Sequence, residues 1–141
     1  MAILRAKCDA AFRQTSGLAG LGVVVYVDKE QYYFQKGTTR VTTSQEAETL
    51  ALRYTLKRIM NEWGKDNVVL IEVDNFSLAK RINELLDDDA LPRTKNEEII
   101  ILLMRKFKMC GVKWIDRGNN KMAHKLSQQA IKALSRELNG K

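Results

Sequence analysis

The sequence predicts an α/β domain built on a five-stranded mixed sheet. Three observations carry that expectation: an opening stretch of alternating and β-branched residues, a later alternation of helical and strand periodicities, and one strand that is apolar on both faces. Residues 3–12 place Ala6, Cys8, Ala10 and Phe12 alternately with Arg5, Lys7 and Asp9, the two-residue period of a strand. Residues 14–22 hold three glycines and read as a turn. The β-branched run at 23–27, a polar turn at 28–31, and a strand opening at Tyr32-Tyr33-Phe34 and reaching about Val41 complete a three-stranded antiparallel meander.

Thr43 or Ser44 then offers an N-cap, with Glu46 and Glu48 in the first helical turn, where the dipole favours acids. Leu52, Leu56, Ile59, Met60 and Trp63 follow at helical spacing, and Gly64 ends the helix. Residues 68–73 are nearly all apolar, as suits a central strand covered on both sides, and they lead into Asp74-Asn75. A short helix is expected at 77–86, then an acidic, proline-bearing loop at 87–94. A further helix at 96–108 carries Ile99, Leu102, Leu103 and Phe107. Gly111 opens a strand at 112–115, and a last helix at 120–138 sets Ala123, Leu126, Ala130, Leu134 and Leu138 on one stripe. The predicted order is β-β-β-α-β-α-α-β-α, a single domain over residues 1–141, without repeats or a dividing linker.

Composition narrows the function. With 45% apolar and 29% charged residues, the chain reads as an ordinary globular domain. No stretch approaches the roughly 20 apolar residues of a membrane span, and the N-terminus lacks signal-peptide character, so a cytoplasmic protein with no membrane partner is expected. Two cysteines, Cys8 and Cys110, read as reduced thiols, and with one histidine they cannot form a usual four-ligand zinc site. The net charge is +7, yet residues 101–141 hold ten Lys or Arg against Asp116 and Glu137, so the first hundred residues sum to −1. A basic C-terminal third suits a polyanion such as nucleic acid, or is simply a solvated helix face.

Three carboxylates occupy positions that this layout would bring together. Asp9 lies within the first strand, where Asp is depleted; Glu48 begins the long helix; Asp74 ends the apolar strand. Groups at the carboxyl ends of strands project into a shared crevice, and an acid there is costly unless a cation compensates it. Each has another reading: Glu48 as a helix-dipole acid, Asp74 as the cap of the next helix, and Glu72 as a rival on the same face as Asp74. Gly17, Gly20 and Gly22 form neither a phosphate loop nor a dinucleotide fingerprint and read as a hairpin bend. Trp63 and Trp114 read as core.

The segments Cys8-Asp9-Ala10-Ala11-Phe12, Ser44 through Leu52, Glu72-Val73-Asp74-Asn75 and Arg117 through Leu126 resemble the ribonuclease H family, type 1, in order and on matching elements. The resemblance implies the ribonuclease H-like fold in a minimal single-domain form. It also implies an endonuclease that hydrolyses the RNA strand of an RNA–DNA hybrid with two Mg²⁺ or Mn²⁺ ions. Asp9, Glu48 and Asp74 fall on the family's first three metal-binding acids, and His124 stands where the fourth acid is usual, as in plant-type members. Ala10 replaces the usual glycine. Ser44 and Gln45 replace asparagines that touch RNA, and Asp87-Asp88-Asp89 occupies the place of an extra basic helix found in some members. Candidate substrate contacts are Ser44, Gln45, Arg13, Arg40, Asn75, Arg117, Asn120 and Lys121, the basic residues for phosphates. A monomer is expected. The alternatives are a related nuclease with another substrate, and a catalytically weak or idle nucleic-acid-binding module marked by Ser44, Gln45 and His124.

Overall fold

The computed structural model describes residues 1–140. Five strands form one sheet: β1 (Ile3–Arg13), β2 (Leu18–Val27), β3 (Glu30–Thr38), β4 (Val68–Val73) and β5 (Met109–Trp114), in the spatial order β3-β2-β1-β4-β5. β1 runs antiparallel to β2, as β2 does to β3, and parallel to β4, which is parallel to β5. The helices are α1 (Ser44–Trp63), α2 (Phe76–Leu86), α3 (Lys95–Lys106) and α4 (Lys121–Asn139). The predicted mixed five-stranded α/β architecture is therefore observed, with the predicted element order.

β2 is buried on both faces along most of its length, which explains its apolar run. Leu21, Val23 and Val25 pack in the main core with Leu52, Leu56 and Ile59 of α1, Ile82 of α2 and Ile100 of α3. Val24 turns the other way, against Ala123 and Leu126 of α4. The uninterrupted valine run at 23–25 thus serves two cores at once.

Several boundaries differ from the sequence expectation. Only residues 14–17 turn; Gly20 and Gly22 lie inside β2, opposite Ala11 and Asp9. A Cβ on Gly22 would run into the carbonyl oxygen of Ala123, and one on Gly20 into that of Ser127. These glycines let α4 lie directly on the sheet, a function of close approach, not of bending. Gly17 does turn, with φ +72°. β3 ends at Thr38, short of Val41, and β5 begins at Met109, ahead of Gly111.

The buried face of α3 is Ile100, Ile101 and Met104, while Leu102 is exposed. Residues 99–104 are all apolar, so no period in them marks a face; packing against α1 chooses it. Leu138 is exposed near the end of α4, beyond Leu134, which packs on Gly37 of β3. Trp63 meets Tyr32 and Phe34 edge-to-face, whereas Trp114 is exposed and is not core. Both cysteines are free thiols, with Cys8 buried. Among the described residues, no helix is long and apolar enough to cross a membrane.

Candidate active site

Asp9 sits on the face of β1 that looks toward α4, and its neighbour Cys8 pairs with Val73 at the end of β4. That register sets Asp9 beside Asp74, the first residue past the strand. Asp74 is not the cap of α2: Asn75 is, its side-chain oxygen accepting the Leu78 N–H at 2.9 Å, so Asp74 remains available.

The start of α1 makes a similar division of labour. Thr43 caps the helix by accepting from the Glu46 N–H at 3.0 Å, and the Glu46 carboxylate accepts from the Thr42 N–H at 2.8 Å. Glu46 is the acid spent on the helix end. Glu48, two residues on, is left for the site. Glu72 shares the sheet face of Asp9 but pairs with Arg5 at 3.3 Å, and Arg5 in turn lies over the Tyr26 ring. It takes no part in the cluster.

Carboxylate oxygens of Asp9, Glu48 and Asp74 all lie within 4.8 Å of one another. Burial, then the charges of Asp9 and Asp74, pushes the Glu48 carboxyl up to about 8. Burial and Asp74 also raise Asp9, while hydrogen bonds from the Ala10 N–H and His124 oppose the rise. Held against the Asp74 charge, Asp9 and Glu48 resist ionising together. They demand a proton or a cation, and a hard oxygen donor set of this kind fits a divalent metal.

The Nδ1 of His124 lies 3.0 Å from Asp9 Oδ2, with the imidazole half exposed on α4. An ionised Asp9 requires that Nδ1 carry the proton, which makes it the donor. His124 is therefore attached to the cluster through Asp9, and the three acids come together without it.

Asn120, expected as a substrate contact, is instead buried. Its amide nitrogen donates to the Cys8 carbonyl at 2.9 Å and to Asp74 Oδ2 at 3.2 Å, joining the start of α4 to β1 and to the acid. Its Oδ1 is buried without a partner. A motif asparagine immediately ahead of a helix cannot be told from a surface contact by sequence; only the fold shows that it is a strut. Lys7 adds a second tie, its Nζ donating to the Asn119 carbonyl at 2.7 Å, and nothing in the sequence pointed to it.

Of the remaining candidates, Asn75 is half-buried as the cap of α2, and the others are exposed. Ser44 and Gln45 open α1, and Gln45 shares a shallow cavity of about 360 Å³ with Thr49, Asn75 and Ser77. Arg13 and Arg40 are exposed, and the segments that follow them are tied by a Val41 N–H to Gly17 carbonyl bond of 2.9 Å. Arg117 lies in the 3₁₀ turn Arg117–Asn119, and Lys121 begins α4. Sequence reading also missed the clamp of loop 87–94. Arg81 grips Glu97 through two bonds of 2.9 and 3.0 Å and the Leu91 carbonyl at 2.7 Å. Its one readable signal was the Thr94…Glu97 capping pair.

The family model described as "Reverse transcriptase-like" matches residues 7–130, which span all three acids and His124. The chain belongs to this family, within the ribonuclease H group. No curated protein matches it significantly.

Solved structures of ribonuclease H domains share its fold. The N-terminal RNase H domain of Rv2228c from Mycobacterium tuberculosis superposes with a TM-score of 0.78 at 17% identity, covering 98% of this chain and 99% of that one. RNase H1 from the halophilic archaeon Halobacterium salinarum gives 0.76 at 18% identity, covering 93% and 98%. LC11-RNase H1, isolated from compost, in complex with an RNA/DNA hybrid gives 0.75 at 21% identity, covering 93% and 99%.

Proposed function

We propose that this ribonuclease H-family chain is an endonuclease hydrolysing the RNA strand of RNA–DNA hybrids with two divalent ions, working as a cytoplasmic monomer. The observation that carries the proposal is the convergence of Asp9, Glu48 and Asp74 within 4.8 Å, with His124 bonded to Asp9, at the carboxyl end of β4. The hybrid in the LC11-RNase H1 complex supports the choice of substrate.

Asp9, Glu48 and Asp74 are the residues that would hold the ions, Mg²⁺ or Mn²⁺. Two such ions, when bound, supply an activated water and neutralise charge on the attacked phosphate. Asn120 keeps Asp74 aimed at Asp9. His124 orients Asp9 through Nδ1 and, half exposed, can hold a proton at the solvent edge of the site. An imidazole here carries one negative charge fewer than an aspartate, which favours Mn²⁺ over Mg²⁺.

Ser44 and Gln45, beside the acids, are placed to read the 2′-hydroxyl that separates RNA from DNA. Arg13, Arg40, Arg117, Lys121 and Lys125 are exposed cations suited to phosphates, contacts that carry no sequence information. Cleavage should depend little on sequence.

The test is cleavage of a labelled hybrid with Mg²⁺ and Mn²⁺ titrated separately, beside single-stranded RNA, double-stranded RNA and double-stranded DNA, with Asp74→Asn as control. Hybrid-only cutting that the variant abolishes supports the proposal; no cutting by folded protein in either metal refutes it. Equal activity in both metals at low concentration removes the role given to His124.

A further inference from the structure

Phe76 and Trp114 form an exposed aromatic pair that has no part in the acid cluster. Phe76 opens α2 and is 62% exposed; Trp114 closes β5 and is 45% exposed. Their rings meet edge-to-face, with centroids 6.2 Å apart. Two large aromatic side chains left this open contrast with Trp63, which is covered by Tyr32 and Phe34. Trp114 pairs in register with Val73, and the Ile115 N–H bonds the Val73 carbonyl at 2.8 Å, so Trp114 stands level with the residue before Asp74, and Phe76 follows Asp74 by two residues.

The rings form one end of a groove of about 510 Å³ between α2 and β5. Lys80, one turn along α2 from Phe76, and Lys113, next to Trp114, line the same groove. Its far end is acidic, with Glu84, Asp87 and Asp89. The groove follows the free edge of β5, where an added strand from another protein would dock. Asn83 obstructs that mode: its amide donates to the Val112 carbonyl at 3.2 Å, occupying an edge acceptor.

We propose that Phe76 and Trp114 form a stacking shelf for one or two unpaired nucleotides flanking the hybrid. The inference rests on reading the acid cluster as the hybrid nuclease site. Inside a duplex each base is covered by its neighbours, so an exposed aromatic face gains nothing from it; a base that has left the stack presents its whole face. Lys80 and Lys113 supply cations for the accompanying phosphates. The carboxylates beyond them repel further phosphates, which limits the bound flank to its first nucleotides. The substrates this shelf selects are hybrids that give way to single strand close to the point of cleavage.

The experiment uses the full chain without divalent ions and measures binding of a blunt RNA–DNA hybrid and of the same hybrid bearing three-nucleotide extensions, RNA or DNA, at either end. At least one extension should bind roughly tenfold tighter than the blunt hybrid, as expected for stacking of a base on an aromatic side chain. It should also quench tryptophan emission, a signal lost in Trp114→Leu. In Phe76→Ala and Trp114→Leu, each checked for folding by thermal denaturation, the ratio of extended to blunt affinity should fall toward one. Equal affinity and equal emission for all substrates with the parent protein overturn the shelf. Failure of the nuclease reading is separate, because it appears as the absence of cleavage of every hybrid once Mg²⁺ or Mn²⁺ is added.

Discussion

Replacing Glu48 by Gln removes one of three carboxylates held within 4.8 Å, and the structure sets both the sign and the size of the effect. Burial and the charges of Asp9 and Asp74 raise the Glu48 carboxyl from 4.5 to about 8. At roughly 1.4 kcal/mol per tenfold change in proton affinity, ionising it in the metal-free fold costs on the order of 4–5 kcal/mol. Asp9 is the second cause of the rise and shares that cost, so deleting one charge should recover a part, about 2 kcal/mol.

The folded-state pKa lies above the unfolded one, so the penalty is absent below about pH 4, grows between about 4.5 and 8, and is fully present above 8. In EDTA at pH 9, Glu48→Gln should melt about 5–10 °C above the parent protein, and the two curves should converge by pH 4. Divalent ions should stabilise the parent and not the variant, while hybrid cleavage falls at least a hundredfold. Thermal denaturation across pH, with and without Mg²⁺ or Mn²⁺, reads all of this. A variant no more stable than the parent at pH 9 in EDTA would falsify the argument that the acids repel one another in the free fold.

Other substitutions test the supports of the site. Gly22→Ala places a methyl on the Ala123 carbonyl and should cost about 2–4 kcal/mol in chemical denaturation, whereas Gly111→Ala, with nothing within 4 Å of its Cβ, should stay within about 0.5 kcal/mol. Asn120→Ala deletes bonds to Cys8 and Asp74; a loss of about 2 kcal/mol is expected, together with weaker stabilisation by Mg²⁺ or Mn²⁺, and an unchanged metal response would deny Asn120 its hold on Asp74. Lys121→Ala with Lys125→Ala should weaken hybrid binding and flatten its dependence on salt by about 1–2 in the log–log slope; an unaltered slope takes both lysines out of the phosphate footprint.

The order of elements, the apolar central strand and the three acids are readable in the chain alone. These are local matters: periods of two and 3.6, caps, and carboxylates at costly positions are written in neighbouring residues. Asp9 was legible because a strand interior disfavours it, and Asp74 because it ends an apolar run. The features that were not readable depend on residues far apart in the chain. The glycines at 20 and 22 resembled a bend until α4 was seen lying on them, and the all-apolar stretch 99–104 had no face until α1 supplied one. Glu72 and Asp74 shared a sheet face, and the Arg5 guanidinium separated their roles. Asn120 and Arg81 act through partners 112 and 16 residues away, and Trp114 was left in solvent by the ending of the sheet at β5. A residue's pattern tells what it can do; which of its polar atoms are already spent depends on neighbours that folding alone brings into reach.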